Sequence, residues 1–372
     1  MVRFALIGTG SMGKKYAMMF EQGKIKDATL TAVVCRSEGA RAWAAENLSS
    51  QTRIFTDSDS LYREPEEYDA VLIVTPHKTH PQLAVKAFQL GKAVFCDKPA
   101  GVSVSQALQM NQAAGESGQI YAMMFHQRLY AKYRRIKDLM DSGKIGMVTR
   151  AMMINSRYYR TTHYHNSGSW RSSWNGEGGG ALINQGQHLV DIWQWLFGVP
   201  ESIYADVEFG KFNEFRVDDE ATIMMRYSDR MTGVFMLTTG DAGYEERLEI
   251  SGTKGKLILE DNKLTILTYN EDSKEYGRTA TCNSREQMTS TQTIEEFEAQ
   301  SEPYAEMFDN FVLAYQKQNA TLLVAPGMDG YKALEIVNAA YLSAWQQRKV
   351  NLPIDADEYE RELEKQIEEE TK

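Results

Sequence analysis

The sequence predicts an α/β amino-terminal domain built on a doubly wound parallel sheet, followed by an α+β domain with an open, largely antiparallel sheet. Three observations carry that expectation. Up to about residue 124, short and continuously apolar runs alternate with segments of helical spacing. A GxGxxG turn joins the first apolar run to the first helical segment. In the second half, strand-like runs follow one another with few helices between them. Continuous apolar strands separated by helices belong to a sheet covered on both faces, whereas runs of strands favour an antiparallel layer with helices on one side.

Taken in order, VRFALI (2–7), LTAVV (30–34), AVLIV (70–74), KAVFC (92–96) and IYAMM (120–124) read as strands. The segments 80–90 and 104–117 carry apolar residues at helical spacing. AKYRRIKDLMDSGKIG (131–146) predicts a helix closed by glycines, and Thr149–Tyr158 a strand. A helix is expected near 184–197, then strands at 202–209, 220–227, 232–239, 246–251 and 256–260. Within these, RLEISGTKGKLILED holds two β patterns joined by a glycine-bearing turn, which signals a hairpin. The polar stretch 270–300 is assigned no structure. Helices follow at about 302–317 and 329–348. The chain thus divides into 1–124, 125–354 and an acidic, helical tail at 355–372.

Composition bounds the function. The chain has 372 residues, of which 42% are hydrophobic and 25% charged, as in a globular protein with substantial cores. With 51 acids against 41 bases, its net charge of −10 speaks against broad binding of nucleic acid or anionic membranes. The apolar start MVRFALIG is too short for a signal peptide, and no run approaches the roughly 20 apolar residues of a membrane span. Cys35, Cys96 and Cys282 offer no disulfide framework. The expectation is a cytoplasmic protein.

The turn Gly8-Thr9-Gly10-Ser11-Met12-Gly13 follows the first strand and opens a helix, the context in which each glycine has a task. Gly8 makes the tight turn, Gly10 lets backbone approach a pyrophosphate, and Gly13 allows the helix to pack closely on the strand. Ser11 and Met12 begin the helix whose free N–H groups face the phosphates. After the second strand stands Cys35-Arg36-Ser37, with no acid until Glu38. An NAD site usually carries an acid there for the ribose, whereas a guanidinium with a hydroxyl suits a 2′-phosphate. The cofactor expectation is therefore NAD(P), with NADP favoured; the alternative is that Arg36 stacks on adenine and admits either.

Three further motifs carry a resemblance. Thr75-Pro76-His77-Lys78-Thr79-His80 follows the strand at 70–74, and Gly91-Lys92-Ala93-Val94-Phe95-Cys96-Asp97-Lys98-Pro99 contains the next strand and its exit. Later comes Gly178-Gly179-Gly180-Ala181-Leu182-Ile183-Asn184-Gln185-Gly186-Gln187-His188-Leu189-Val190-Asp191. With the glycine turn, this ordered set resembles the Gfo/Idh/MocA oxidoreductases, over about residues 1–354. The resemblance implies a Rossmann domain, an open-sheet domain that often mediates homo-oligomers, and hydride transfer at a secondary hydroxyl or carbonyl of a sugar or cyclitol. It also implies that Thr75, Pro76, His80 and Asp97 help form the nicotinamide site. The family's Glu-Lys-Pro appears here as Asp97-Lys98-Pro99, so Lys98 takes the place of the active-site lysine. A cation leaving the carboxyl end of a parallel strand faces the crevice where ligands bind, and can stabilise charge on a reacting oxygen.

His188 aligns with the family's catalytic histidine, and an imidazole titrates where it can exchange a hydroxyl proton. Asn184, His188 and Asp191 stand at i, i+4 and i+7, so a helix here presents all three on one face. The family often has Asp where this chain has Asn184. An amide cannot ionise, which leaves Asn184 to fix substrate or ring by hydrogen bonding, and leaves Lys98 and His188 as rival proton acceptors.

The stretch RYYRTTHYHNSGSWRSSWN (157–175) mixes aromatics, arginines and small polar groups, which suits the apolar faces and hydroxyl rim of a sugar. Tyr159, Arg160, Trp170 and Arg171 are the substrate candidates, with a packing or subunit loop as the alternative. Either arginine can also pair with a carboxylate or phosphate, as in uronic acids or nucleotide sugars. His126 is placed at the crevice, with a structural role as its alternative. His163 and His165 lack the further ligands of a zinc site, so no metal is expected. The expected partners are a small carbohydrate or cyclitol and further copies of this chain, with no nucleic acid and no membrane.

The activity expected is an NAD(P)-dependent dehydrogenase of a ring hydroxyl. Two rivals stay open: redox-assisted elimination or glycoside cleavage with retained nicotinamide, and a non-catalytic dinucleotide or sugar sensor. The tail beyond Asp355 reads as a solvated helix, with Leu363 and Ile367 at helical spacing.

Overall fold

The computed structural model describes residues 1–371. Two compact units emerge, and neither is continuous in sequence. The first joins Met1–Arg128 to Asn175–Gly178 and Glu302–Glu335; the second joins Leu129–Trp174, Gly179–Ser301 and Ile336–Lys372. A boundary near residue 124 does not express this return of the chain.

In the first unit, β1 (Val2–Ile7), α1 (Ser11–Glu21), β2 (Ala28–Val34), α2 (Glu38–Asn47), β3 (Arg53–Phe55), α3 (Ser58–Tyr62), β4 (Ala70–Ile73), α4 (His80–Gln89), β5 (Ala93–Cys96), α5 (Val104–Ser117) and β6 (Tyr121–Met123) alternate. They form a six-stranded sheet of order β3-β2-β1-β4-β5-β6, with parallel pairings throughout. Every residue of β4 and β5 is buried, as continuous apolar runs require. The three-residue edge strand β3 is too short to show a period, and the sequence reading missed it.

The second unit begins with α6 (Ala131–Asp141), β7 (Val148–Asn155), the short α7 (Thr162–His165) and α8 (Gln187–Phe197). Then come β8 (Ser202–Phe209), β9 (Asp218–Arg226), β10 (Thr232–Thr238), β11 (Glu246–Gly252), β12 (Gly255–Glu260) and β13 (Lys263–Tyr269). The stretch 270–300, assigned no structure above, holds α9 (Ser273–Thr279) and β14 (Ser290–Glu296). β14 pairs antiparallel with β13 as an edge strand with almost every residue exposed, so it has no apolar alternation to read.

Two helices follow: α10 (Tyr304–Lys317), in the first unit, and α11 (Gly327–Gln346), divided between the two units. Phe308 and Phe311 of α10 pack on Phe4 and Phe95 of the parallel sheet, and the rings of Phe95 and Phe311 stack at 5.0 Å. Burial of such rings is the largest single source of core stabilisation per side chain. The chain ends with β15 (Val350–Asn351) and α12 (Ala356–Glu370). The second sheet runs β14-β13-β12-β11-β7-β10-β9-β8-β15, and only the β7–β10 pairing is parallel.

The terminal helix is not merely solvated. Tyr359 and Leu363 are buried, and Tyr359 stacks on Trp345, which stacks in turn on Tyr341. Trp174 meets both Tyr341 and Trp345 edge-on, and its backbone N–H donates to Glu370 Oε1 at 2.8 Å. Replacing Tyr359 with leucine, which breaks the stack, is expected to cost about 1–2 kcal/mol. Thermal unfolding checks this: Tm falls by a few degrees, and Tyr359→Phe, which keeps the ring, loses clearly less.

Candidate active site

The dinucleotide half lies in the first unit, at the carboxyl ends of β1, β2, β4 and β5. Gly8 adopts a φ of +109°, and a Cβ there would stand 2.2 Å from the Val74 carbonyl oxygen. A Cβ on Gly13 would stand 1.8 Å from the Gly8 carbonyl oxygen. Both glycines are dictated by the protein's own backbone. Gly10 differs: its Cβ would meet nothing within 4 Å, and its φ of −69° is open to any residue. Internal packing does not explain Gly10, whereas close approach of a ligand does. No side chain caps α1, and its first turn carries no acid, so its leading N–H groups and positive dipole end suit an anion. These features fit a dinucleotide pyrophosphate against Gly10, Ser11 and Met12.

At the end of β2, Arg36 is exposed, while the Ser37 hydroxyl caps α2 by accepting from the Ala40 N–H at 3.2 Å. Ser37 thus has a structural task besides any ligand. The sequence reading missed Arg41, whose guanidinium reaches back to the Arg36 carbonyl at 2.9 Å and the Cys35 carbonyl at 3.3 Å. One helical turn separates Arg41 from Ser37, so both arginines stand where a ribose substituent is expected.

His80 pins two loops together. It is buried, with Nδ1 2.8 Å from the Pro99 carbonyl and Nε2 2.7 Å from the Thr75 carbonyl. Both ring nitrogens are committed, so His80 joins the Thr75-Pro76 loop to the Lys98-Pro99 exit from β5. Burial pulls its imidazole below the usual value, and the two carbonyls and the Asp97 carboxylate oppose that shift. Burial likewise pushes the Asp97 carboxyl up, against the Lys98 cation and a hydrogen bond with Tyr16. Asp97 Oδ1 also accepts from the Lys98 N–H at 2.8 Å, fixing the backbone from which the lysine projects.

The Thr75–His80 loop holds a distant piece of chain. His77 Nδ1 lies 2.9 Å from the Glu177 carbonyl, and Lys78 Nζ donates to Asn175 Oδ1 at 3.2 Å. Neither residue was singled out in the sequence, because their partners lie about a hundred residues away. His126 is buried with its ring 4.5 Å from that of Tyr304.

The substrate-side candidates lie in the second unit, and they gather on a residue the sequence reading passed over. The Tyr164 phenolic oxygen receives hydrogen bonds from Arg171 at 2.9 Å, Asn184 at 3.2 Å and Gln185 at 3.0 Å. The Arg160 and Arg171 guanidinium carbons lie 4.6 Å and 4.7 Å from the centre of its ring. Arg171 also stacks over Trp170 at 4.5 Å. Tyr159, by contrast, is 49% exposed, and its carbonyl accepts from Arg160. Arg160, Trp170, Arg171 and Asn184 thus form one cluster, with Tyr159 at its margin.

One expectation needs correction. Asn184 is not on the helix with His188 and Asp191, because α8 begins only at Gln187. The residues before it form turns, held from outside by Asp218 on β9. Its carboxylate accepts from the Gly180 and Leu182 N–H groups, both at 2.7 Å, and from the Tyr341 hydroxyl at 2.6 Å. Asp218 is buried, and burial pushes its carboxyl up against those three donors. Within these turns the Gly186 N–H bonds to the Ala181 carbonyl at 2.7 Å, five residues back rather than four, so Asn184 lies ahead of the regular helix while half-buried His188 lies in the first turn of α8. Lys98 and His188 belong to different units. Among the described residues, three potential metal ligands gather only at Glu64, Glu66 and Glu67, and neither His163 nor His165 joins such a group. No helix of the described residues is long and apolar enough to cross a membrane.

Comparison with known proteins agrees with this architecture. Residues 2–125 match the model of an oxidoreductase family with an NAD-binding Rossmann fold, and residues 133–258 match that of the GFO/IDH/MocA C-terminal domain. The chain is 24% identical over 358 residues to an inositol 2-dehydrogenase of Rhizobium meliloti, covering 94% of this chain and 99% of the relative. It is 27% identical over 262 residues to a scyllo-inositol 2-dehydrogenase (NADP(+)) of Bacillus subtilis, covering 70% and 76%. In structure it resembles the WlbA dehydrogenase of Bordetella pertussis, solved with NADH and UDP-GlcNAcA. That match has a TM-score of 0.78 at 22% identity, over 95% of this chain and 99% of the other.

Proposed function

The chain belongs to the GFO/IDH/MocA family of oxidoreductases, and from that premise we propose that it is an NAD(P)-dependent dehydrogenase of a secondary ring hydroxyl on a sugar, glycoside or cyclitol. The observation that carries this reading is the glycine turn, where Gly8 and Gly13 are closed off by backbone while Gly10 opens onto free space. Gly10, Ser11 and Met12 hold the pyrophosphate, and Thr75 and Pro76, pinned by His80, flank the nicotinamide. Arg36, Arg41 and Ser37 hold the adenosine end, and two guanidinium groups beside it favour NADP. Bound nicotinamide supplies the hydride acceptor.

Lys98 and His188 handle the proton of the reacting hydroxyl. Asn184 orients the substrate, since its amide can donate and accept but not ionise. The inositol dehydrogenases among the relatives support a polyhydroxylated ring as substrate. The exposed face of the second sheet carries Tyr204 beside Met224, cross-strand partners that are 43% and 53% exposed, which supports a homo-oligomer formed through that face.

The test is reduced-nicotinamide absorbance of the purified protein with NAD and NADP against sugars, cyclitols, glycosides and their acidic derivatives. Turnover is expected with at least one ring alcohol, faster with NADP. Absence of cofactor reduction across the panel would overturn the dehydrogenase reading.

A further inference from the structure

We infer that Arg160, carried beside Tyr164, forms an anion-binding subsite that takes a carboxylate or phosphate substituent of the sugar; the inference rests on the dehydrogenase reading above. It begins from charge. Between residues 157 and 174 the chain carries three arginines and no acid, although the whole protein has a net charge of −10.

These arginines are not equivalent. Arg157 already has an internal counter-charge, since its Nη1 donates to Glu246 at 3.2 Å within a buried group that includes Lys132 and Tyr133. Arg171 is engaged with the Tyr164 hydroxyl and two aromatic rings. Arg160 has no carboxylate within ion-pair distance among the described residues. Its Nη1 donates to the Tyr159 carbonyl at 3.2 Å, its Nε is buried without a partner, and its guanidinium lies over the Tyr164 ring. Arginines elsewhere in this protein are commonly neutralised: Arg3 by Asp69, Arg128 by Asp329 and Arg135 by Glu295.

A half-buried guanidinium without a counter-ion is poorly solvated and strongly attracts an anion. Burial lowers the His165 imidazole; the Asp219 carboxylate opposes that shift, and the Arg160 and Arg171 cations add to it.

The subsite is coupled by geometry to the residue at the family's catalytic position. Asn184 donates to the same phenolic oxygen over whose ring Arg160 lies. An anionic group on Arg160 therefore sits about one tyrosine ring away from the amide that orients the reacting ring. A neutral sugar leaves this cation unmatched, whereas a sugar acid or sugar phosphate meets it with a charge-assisted, fork-shaped contact.

The experiment compares wild type, Arg160→Gln and Arg160→Lys on glucose, glucuronate, glucose 1-phosphate and UDP-glucuronate. Both turnover and calorimetric binding to the cofactor-loaded protein are measured. Glucuronate separates the carboxylate arm and glucose 1-phosphate the phosphate arm. Arg160→Gln is expected to weaken binding of at least one anionic probe by about 10- to 100-fold, with the loss in KM rather than kcat. The loss on that anionic probe is expected to exceed any loss on glucose by about tenfold or more, and Arg160→Lys to restore part of it.

Equal losses on neutral and anionic probes, no loss on either, or no binding of any anionic probe would each overturn the subsite. Arg160-dependent binding of an anion without any oxidation would instead overturn the dehydrogenase reading and leave the subsite standing.

Discussion

Lys98→Ala is expected to lower kcat and kcat/KM together by about a thousandfold, while affinity for NADPH changes by less than about threefold. Lys98 leaves the carboxyl end of β5, the edge of a parallel sheet at which ligands bind. Its backbone is held on both sides, by the Asp97 carboxylate on its own N–H and by His80 on the carbonyl of Pro99. Neither of those hydrogen bonds is made by the ammonium group, whose charge acts on the Asp97 carboxyl beside it, so truncating the side chain removes the cation and leaves both backbone contacts available. A group that stabilises the oxygen only as it develops charge contributes to the transition state and not to ground-state binding, so both kinetic constants fall in step. Steady-state kinetics and fluorescence titration with NADPH check the two halves separately. A rise in KM alone would recast Lys98 as a binding residue, and undiminished turnover would remove it from the chemistry.

The parts of this protein that were legible in the sequence are those whose neighbours are local or whose burial is uniform. β4 and β5 are wholly buried, and their unbroken apolar runs announced both the strands and the parallel sheet. The glycine turn was legible because each position answers to a backbone constraint within one supersecondary unit. The strand β14 was not legible, since an exposed edge strand needs no apolar alternation. The helical placing of Asn184 failed for a different reason. Spacing within 184–191 suits a helix, but Asp218, more than thirty residues away, holds the Gly180 and Leu182 amides in the preceding turns, and the Gly186 N–H bonds five residues back to the Ala181 carbonyl. Tyr164 escaped notice for a related cause. Its hydroxyl matters because Arg171, Asn184 and Gln185 converge on it, and convergence of residues up to 21 positions apart leaves no periodic trace. Arg41 stands in the first turn of α2, and only the bonds from its guanidinium back to the Cys35 and Arg36 carbonyls bring it to the end of β2. The dense charge of the tail suggests a solvated helix and hides the apolar anchor at Tyr359 and Leu363, whose partner Trp345 lies in a different helix.

The glycine turn yields the sharpest contrast, between two alanine substitutions three residues apart. Gly13→Ala is expected to disrupt the amino-terminal unit itself. The added Cβ falls 1.8 Å from the Gly8 carbonyl oxygen, a backbone atom that no side-chain rotation can move aside. Helix α1 must then withdraw from β1, and the variant is expected to lose folded yield or several degrees of Tm, together with cofactor binding. Gly10→Ala should leave the fold alone, because its φ of −69° suits alanine and its Cβ meets no protein atom within 4 Å. If the space above Gly10 is where the pyrophosphate lies, the methyl group displaces the ligand, and NADPH affinity falls by about 100-fold, roughly 2.7 kcal/mol. Thermal unfolding without and with NADPH reads both outcomes. The expected pattern is a low Tm for Gly13→Ala in either condition, and for Gly10→Ala a normal Tm that the cofactor no longer raises. A Gly10→Ala protein still stabilised by NADPH to the wild-type extent would move the pyrophosphate away from this turn.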